Sequence, residues 1–216
     1  MHPLRYFEAQ LTPAERALWR GLTDPVTLQA FLDSVPYTGE ERYRCPLTFL
    51  RDRTGHCFDG ALFAAAALRR LGHPPLIVDL LPGDVDVHVL AVFKRGRCWG
   101  AVAKSNFAGL RYREPVYRSL RELVMSYFDG YFNFHGQRTL RGYTRPLNLA
   151  AYDRLGWMWS DGGLDDIGVK LGEIKSYRVL TPAQVRALHP VDERWYKGGS
   201  YGMDPEEVYK PGRGAE

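Results

Sequence analysis

One segment constrains the fold more than any other part of the sequence. Residues 54–75 read TGHCFDGALFAAAALRRLGHPP. Apolar residues recur in it at spacings of three and four, namely Phe58, Leu62, Ala65 and Leu68. This periodicity, together with the run of alanines, predicts a mostly apolar helix that ends at Gly72 before Pro74-Pro75. Because the helix carries few charges, we expect it to lie in the interior, at the centre of the fold.

Three short apolar segments that follow the helix predict β-strands, at residues 76–81, 87–94 and 97–105. The last two flank Arg95-Gly96, which predicts an antiparallel hairpin with a tight turn at these two residues. With the turn there, His88 pairs with Ala103, and Ser105 lies two residues further along the same face.

Helix-capping motifs predict the remaining helices. They begin after Thr12 and Asp24, which gives two short helices in the first 35 residues, and after Ser119 and Thr181. A strand is predicted at residues 176–180. From Lys197 onward the sequence is rich in glycine and proline, and we expect it to be loosely held.

Length and composition favour a single domain over residues 1–216 without a disulfide or metal to stabilise it. The chain has 45% apolar residues and a net charge of +4. The eight-residue apolar run 61–68 is too short to span a membrane, and the first residues lack a signal-peptide pattern. Three cysteines are a sparse and odd number, which indicates a reducing compartment and predicts a cytoplasmic protein.

Cys57 is the first candidate for chemistry, because it lies at the predicted start of the apolar helix. A helix N-terminus presents unpaired backbone N–H groups and a partial positive charge. A thiol placed there ionises more easily, and the thiolate is the nucleophilic form. The alternative is that Cys57 is a small apolar core residue.

His88 is the second candidate, since a histidine in an apolar strand needs partners for its ring nitrogens. A cysteine at a helix start combined with a histidine on a later strand is the arrangement of cysteine acyl-transfer enzymes. In them the imidazole accepts the thiol proton and returns it to the leaving group. A buried structural histidine is the alternative interpretation.

Residues 50–107 resemble the transglutaminase-like branch of the papain-like cysteine protease superfamily. The resemblance lies in GHCFDGALFAAAALRRLGHPPLIV, in VHVLAVF and in RGRCWGAV. It implies an α+β, transglutaminase-like fold in which the nucleophile helix packs on an antiparallel sheet. Residues 1–45 would then be N-terminal helices, residues 46–131 the catalytic core and residues 132–216 a C-terminal extension. It also implies Cys57 as nucleophile, His88 as general base, and amide or ester substrates.

The third member of the site departs from the family pattern. The family usually has an aspartate four residues after the hairpin tryptophan, where this chain has Ala103. Asn106 could orient the imidazole instead, if a bulge or the strand end brings it to that face, and Ser105 is the second choice. The backbone N–H of Cys57 is one expected oxyanion donor. Tyr43, Thr54 and Gln137 are candidates for the other.

Other residues are candidates for substrate binding or for metal ligation. Arg111 and Arg113 could bind a carboxylate or phosphate, and Trp99 completes the predicted substrate-binding set. His56, Cys57, Asp59 and His88 lack the spacing of known metal motifs, so neither a metal nor another cofactor is expected.

Three functions remain open on this sequence. The first is a cysteine-dependent hydrolase or acyltransferase that acts on a peptide or a small acyl or amide substrate. The second is a catalytically incomplete relative that binds a peptide or a protein, which the missing aspartate favours. The third, a nucleic-acid-associated module, depends on the eight Lys and Arg residues between positions 94 and 121 and is the least favoured.

Overall fold

Helices at the N-terminus follow directly from their capping residues. The computed structural model describes residues 2–83 and 87–207. The capping box predicted at Thr12 is present, the helix start predicted at Asp24 also has one, and the two begin two of the first three helices. The helices before the sheet are α1 (Pro3–Ala9), α2 (Pro13–Gly21), α3 (Pro25–Asp33), α4 (Pro46–Asp52) and α5 (Cys57–Arg70). The sequence prediction missed α1 and α4, which are both only seven residues long.

Helix α5 is the alanine-rich helix predicted at the centre of the fold. Its residues from Cys57 to Leu68 are all buried. It ends at Arg70, and Gly72 then adopts a positive φ of 90°, which a glycine accepts without strain. Gly60 lies at a close approach between helix and sheet, because a Cβ there would overlap the Cβ of Lys104.

All pairings in the sheet are antiparallel. Its strands are β1 (Leu76–Pro82), β2 (His88–Arg95), β3 (Cys98–Val102), β4 (Arg113–Tyr117), β5 (Leu140–Thr144), β6 (Leu147–Asn148) and β7 (Ser176–Arg178). The order across the sheet is β4-β3-β2-β1-β5-β7, and β6 pairs with β1. Strands β1 and β2 therefore lie at the centre of the sheet.

The hairpin turn lies one residue later than the sequence predicted. Arg95 pairs with Cys98, so the two turn residues are Gly96 and Arg97 rather than Arg95-Gly96. Gly96 has a φ of 59°, a left-handed conformation that favours glycine at the first turn position. The shift changes every pairing by two residues. Continued to the strand start, this register sets His88 opposite Ser105, not opposite Ala103.

The two faces of the sheet bury two different apolar clusters. One face packs against α5 and uses alternate residues such as Ile77, Val89 and Ala91. The other face uses Val78, Leu80, Leu90 and Val92. It is covered mainly by α6 (Leu120–Met125) and the residues after it. The predicted α+β class, with a buried helix packed on an antiparallel sheet, is confirmed.

The C-terminal part adds both strands and helices. Strands β5 to β7 join the central sheet, and the helices are α7 (Leu164–Glu173), α8 (Pro182–Arg186) and α9 (Glu193–Gly199). The capping box predicted at Thr181 is present. The helix predicted to begin after Ser119 ends at Met125, and a 3₁₀ turn, Phe128–Gly130, follows. Residues 132–207 are thus part of the same sheet and its covering layer.

Candidate active site

The start of α5 is organised by the two residues around Cys57. His56 is the N-cap residue, and its Nδ1 accepts a hydrogen bond of 3.2 Å from the Phe58 N–H. Asp59 completes a capping box, since its carboxylate accepts the His56 N–H at 3.2 Å. Burial lowers the pKa of His56 to about 4, so its ring is neutral and can accept. The helix is therefore capped without using the Cys57 sulfur.

Asp59 and Arg44 form a buried polar contact that stabilises the start of α5. Asp59 is fully buried and accepts the Arg44 backbone N–H at 2.8 Å. The Arg44 guanidinium lies 3.7 Å from the Asp59 carboxylate and also pairs with Asp52 at 3.2 Å. Burial raises the pKa of Asp59 to about 7, against the opposing effect of these donors. The result is a fixed helix N-terminus beneath Cys57.

Cys57 opens onto a cavity of about 900 Å³. Its side chain is 8% exposed, and its Sγ lies 3.7 Å from the carbonyl oxygen of Val87, to which it donates. Tyr43 covers one side of the helix start, with its ring 4.6 Å from the ring of Phe58. The cavity is large enough for a peptide segment or a small acyl compound.

His88 lines the same cavity but lies on the other face of the sheet from α5. It shares that face with Leu90 and Val92, and its ring is 6.5 Å from the ring of Tyr131. Its Nε2 makes a 2.8 Å hydrogen bond with the carbonyl oxygen of Leu110. Because a carbonyl only accepts, Nε2 carries the proton and Nδ1 is the unprotonated nitrogen. Burial lowers the pKa of His88 to about 4, which keeps the ring neutral.

The structure brings Cys57 and His88 to one cavity without joining them directly. Across the described part of the chain, no hydrogen bond links the sulfur to the imidazole. The carbonyl oxygen that approaches the sulfur belongs to Val87, the residue before His88. The His88 side chain projects from β2 on the side of the sheet opposite to α5, whereas Cys57 lies on the α5 side. Both residues line the cavity.

Asn106 and Ser105 line the cavity but make contacts other than those predicted. The Nδ2 of Asn106 donates to the carbonyl of Asp204 at 2.8 Å, and its Oδ1 accepts the Asp204 N–H at 2.9 Å. Ser105 Oγ accepts the Phe107 N–H at 3.0 Å. The group on the imidazole is the Leu110 carbonyl, where the sequence analysis had expected Asn106 or Ser105.

The three predicted substrate-binding residues lie outside the cavity lining. Arg111 pairs with Asp33 at 3.2 Å. The guanidinium of Arg113 stacks on Tyr127, with its Cζ 4.0 Å from the ring centroid, and donates to main-chain carbonyls. Trp99 lies under the ammonium of Lys94 at 4.3 Å. The side chains of Arg111, Arg113 and Trp99 thus all make contacts within the protein.

The cavity lining is acidic, which the sequence analysis did not anticipate. Among the described residues that line it there is no lysine or arginine, although the chain has 29 of them. Its carboxyl groups are those of Glu40, Glu41, Asp79, Asp165, Glu206 and Glu207. Asp79 is the buried one, at 5% exposure. An aspartate inside the apolar run LIVDLL was the signal that could have identified it.

Within residues 2–83 and 87–207, no cluster of three or more His, Cys, Asp or Glu side chains is arranged to hold a metal ion. No helix in these ranges has the length and apolar character needed to cross a membrane.

Comparison with known proteins gives only structural likeness. No protein-family model matches the chain, and no curated protein matches it. The solved structures that resemble it include Legionella pneumophila LapG, with a TM-score of 0.35 and 14% identity over 47% of this chain and 70% of LapG. An EGTA-treated form of LapG gives a TM-score of 0.35, with 13% identity over 48% of this chain and 68% of that one. At this overlap the alignments assign no residue and no activity to the chain.

Proposed function

We propose that the protein is a cysteine-dependent amide or ester hydrolase or acyltransferase of the transglutaminase-like kind, with Cys57 as the nucleophile. The observation that carries the proposal is the position of Cys57. Its sulfur lies at the N-terminus of a buried, rigidly capped helix and lines a cavity that a substrate can enter. Helix N-termini favour the thiolate and the negative charge that develops on an attacked carbonyl. The cytoplasmic location and the single domain predicted from the sequence belong to this proposal.

In the proposed reaction, the Cys57 sulfur forms a bond to the substrate carbonyl carbon while the carbonyl π-electrons move to oxygen. The thiol proton passes to Nδ1 of His88 through water in the cavity. Collapse of the intermediate expels the amine or alcohol, which takes that proton, and leaves a thioester. Water or a second nucleophile then releases the acyl group. The Leu110 carbonyl holds the His88 ring in the tautomer with its proton on Nε2, so that Nδ1 can accept the thiol proton.

The test uses p-nitrophenyl acetate, an activated ester that acylates reactive thiols. The wild type is expected to release nitrophenolate in a burst and to carry one acetyl group on Cys57, seen by mass spectrometry of the intact protein and its peptides. Cys57→Ala should abolish the burst, and Cys98→Ala should leave it unchanged. A burst of normal size in Cys57→Ala would contradict the proposal.

One observation favours the non-catalytic alternative. The described contacts of the His88 ring include a main-chain carbonyl but no carboxylate or amide side chain to orient it. A protein with this geometry could use the cavity to bind a peptide without turning it over. Cys57→Ser would then leave its cellular role intact, whereas it would remove the role of an enzyme.

A further inference from the structure

Asp79 is a buried acid that faces the start of α5. It lies on β1, paired with Val89 of β2. Side chains alternate along a strand, and its neighbours Val78 and Leu80 belong to the opposite cluster. Asp79 therefore points to the same side of the sheet as α5 and Cys57, and it lines the cavity there.

The carboxyl group of Asp79 is short of hydrogen bonds. Its Oδ1 is fully buried and has no hydrogen-bond partner in the described part of the chain. Nearly all buried polar atoms in folded proteins are bonded, so an exception requires an explanation. Because Asp79 lines the cavity, its carboxyl group can form the missing hydrogen bond when a ligand is bound there.

Asp79 is also close to the proposed nucleophile. Val87, whose carbonyl oxygen is 3.7 Å from the Cys57 sulfur, precedes the Asp79 partner Val89 by two residues. Such diagonal neighbours on adjacent strands lie about 7–8 Å apart between Cα atoms. Asp79 thus lies on the α5 side of the sheet, one strand away from the residue whose carbonyl oxygen accepts from the sulfur. Tyr43, Cys57 and Asp79 all line the cavity.

The surroundings favour the protonated form of Asp79. The titratable groups that line the cavity with it include the N-cap residue His56, Cys57 on α5, Tyr43 and Asp165 on α7, and the lining includes no lysine or arginine in the described ranges. Burial raises the pKa of Asp79 to about 8. At neutral pH the side chain is therefore a carboxylic acid, which can donate a hydrogen bond as well as accept one.

We infer that Asp79 is a catalytic residue that donates its carboxyl O–H to the substrate carbonyl oxygen when that oxygen becomes an oxyanion. The inference rests on the proposed function of Cys57. In the acylation step the C–S bond forms and the charge on oxygen is shared between the Asp79 O–H and the Cys57 backbone N–H. The proton stays on Asp79, and the C=O bond returns when the leaving group departs. A neutral buried aspartate can serve as such a donor.

The experiment compares wild type with Asp79→Asn and Asp79→Leu in single-turnover acylation by p-nitrophenyl acetate between pH 6 and 9. Asp79→Leu has the same branched shape, although its methyl groups are larger than carboxyl oxygens, and it has no donor; we expect about a 10²-fold slower acylation. Asp79→Asn keeps a neutral N–H donor and should stay within about fivefold of wild type at pH 7. The rate ratio of wild type to Asp79→Asn should fall as pH rises through about 8.

Alkylation of Cys57 by iodoacetamide forms no oxyanion, so its rate is the control for any change at the sulfur. It should stay within about threefold in both variants. Folding is checked by thermal denaturation, and Asp79→Leu should melt no lower than wild type because it removes an unsatisfied polar atom. A role in structure alone would lower the melting temperature and leave the acylation rate of the folded protein unchanged.

The two ways of failing can be separated. If Asp79→Leu acylates as fast as wild type while Cys57→Ala does not acylate, the role of Asp79 is overturned and the role of Cys57 stands. If Cys57→Ala acylates normally, the proposed function fails and the inference about Asp79 fails with it.

Discussion

Helices α4 and α5 each have a cysteine at the N-terminal end, and the two sulfur atoms make different contacts. Cys45 is the N-cap of α4, and its Sγ accepts the Thr48 N–H at 3.4 Å. It is completely buried, and burial raises its pKa to about 11. Cys57 is the first residue of α5, whose cap is His56, and its sulfur faces the cavity. A cysteine at a helix start is thus a candidate nucleophile only when another residue caps the helix.

The nearby aspartates differ in the same way. Asp161 accepts the Cys45 N–H at 2.9 Å and an Arg42 N–H at 3.3 Å. Burial alone would raise the pKa of Asp161, but these hydrogen bonds outweigh it and lower the pKa. Asp79 has no such donors for its Oδ1, and its pKa is raised. One helix start is therefore internally satisfied, whereas the other retains bonding capacity for a ligand.

The largest expected effect is on thiol reactivity. With iodoacetamide at pH 7.5 and native conditions, Cys57 should be alkylated at least about 100-fold faster than Cys45, because the thiolate form of Cys45 is rare and inaccessible. Peptide mapping over time gives both rates in one sample. Comparable rates would remove the distinction between the two helix starts.

The next effect is a pH dependence of stability from Asp79. Its pKa is about 8 in the folded protein and about 3.9 unfolded, so its contribution is full at low pH and is lost as pH rises toward 8. Between pH 5 and 8, wild type should lose about 3–4 kcal/mol more unfolding free energy than Asp79→Asn, at about 1.4 kcal/mol for each unit of pKa difference. Urea denaturation at both pH values measures this.

Asp161→Asn is the matched control for that prediction. Since the pKa of Asp161 is lowered in the fold, its contribution is present above the unfolded pKa and is lost on acidification. The substitution should therefore destabilise more at pH 8 than at pH 3. If both aspartate variants changed with pH in the same direction, the assignment of opposite environments would be wrong.

A smaller effect is expected from the caps. His56→Ala should lower the unfolding free energy by about 1 kcal/mol, and His56→Asn, which keeps a cap acceptor, should recover most of it. Cys45→Ala and Cys45→Ser form the equivalent pair on α4. Urea denaturation of the four variants tests whether capping is shared in this way. Equal losses for alanine and the polar residue at either position would argue against it.

The smallest effect concerns the chain segment at the cavity edge. Asn106→Ala removes two hydrogen bonds to Asp204. Alkylation of Cys57 should then rise about two- to fivefold through local loosening, while that of Cys45 stays constant. If Asn106 instead orients His88, as the sequence suggested, acylation by p-nitrophenyl acetate should fall and alkylation should not rise.

Local patterns predicted the parts of the molecule that local forces decide. The extent of α5 followed from its alanines, from apolar spacing and from Pro74-Pro75, and the caps at Thr12 and Thr181 were read directly. The hairpin turn was misplaced by one residue because Arg95-Gly96 and Gly96-Arg97 are both plausible turns. The pairing of Arg95 with Cys98 distinguishes them, and it depends on how the two strands pack in the sheet.

The composition of the site depended on contacts that are distant in sequence. Cys57 was predicted as a site residue from its position at a helix start. The face on which His88 lies follows from which side of the sheet α5 covers, and no local pattern gives that. Likewise, Asn106 meets Asp204 across 98 positions, and Asp79 is recognisable as unsatisfied only once its surroundings are assembled.

The complete burial of Cys45 gives the protein an intrinsic probe of its own opening. A thiol with no access to solvent reacts only in molecules whose α4 has separated from the core, so its slow labelling counts those rare molecules. Where reclosing is faster than labelling, the labelling rate yields the free energy of that opening. A bound ligand that closes the molecule more tightly would slow the labelling of a residue it never contacts.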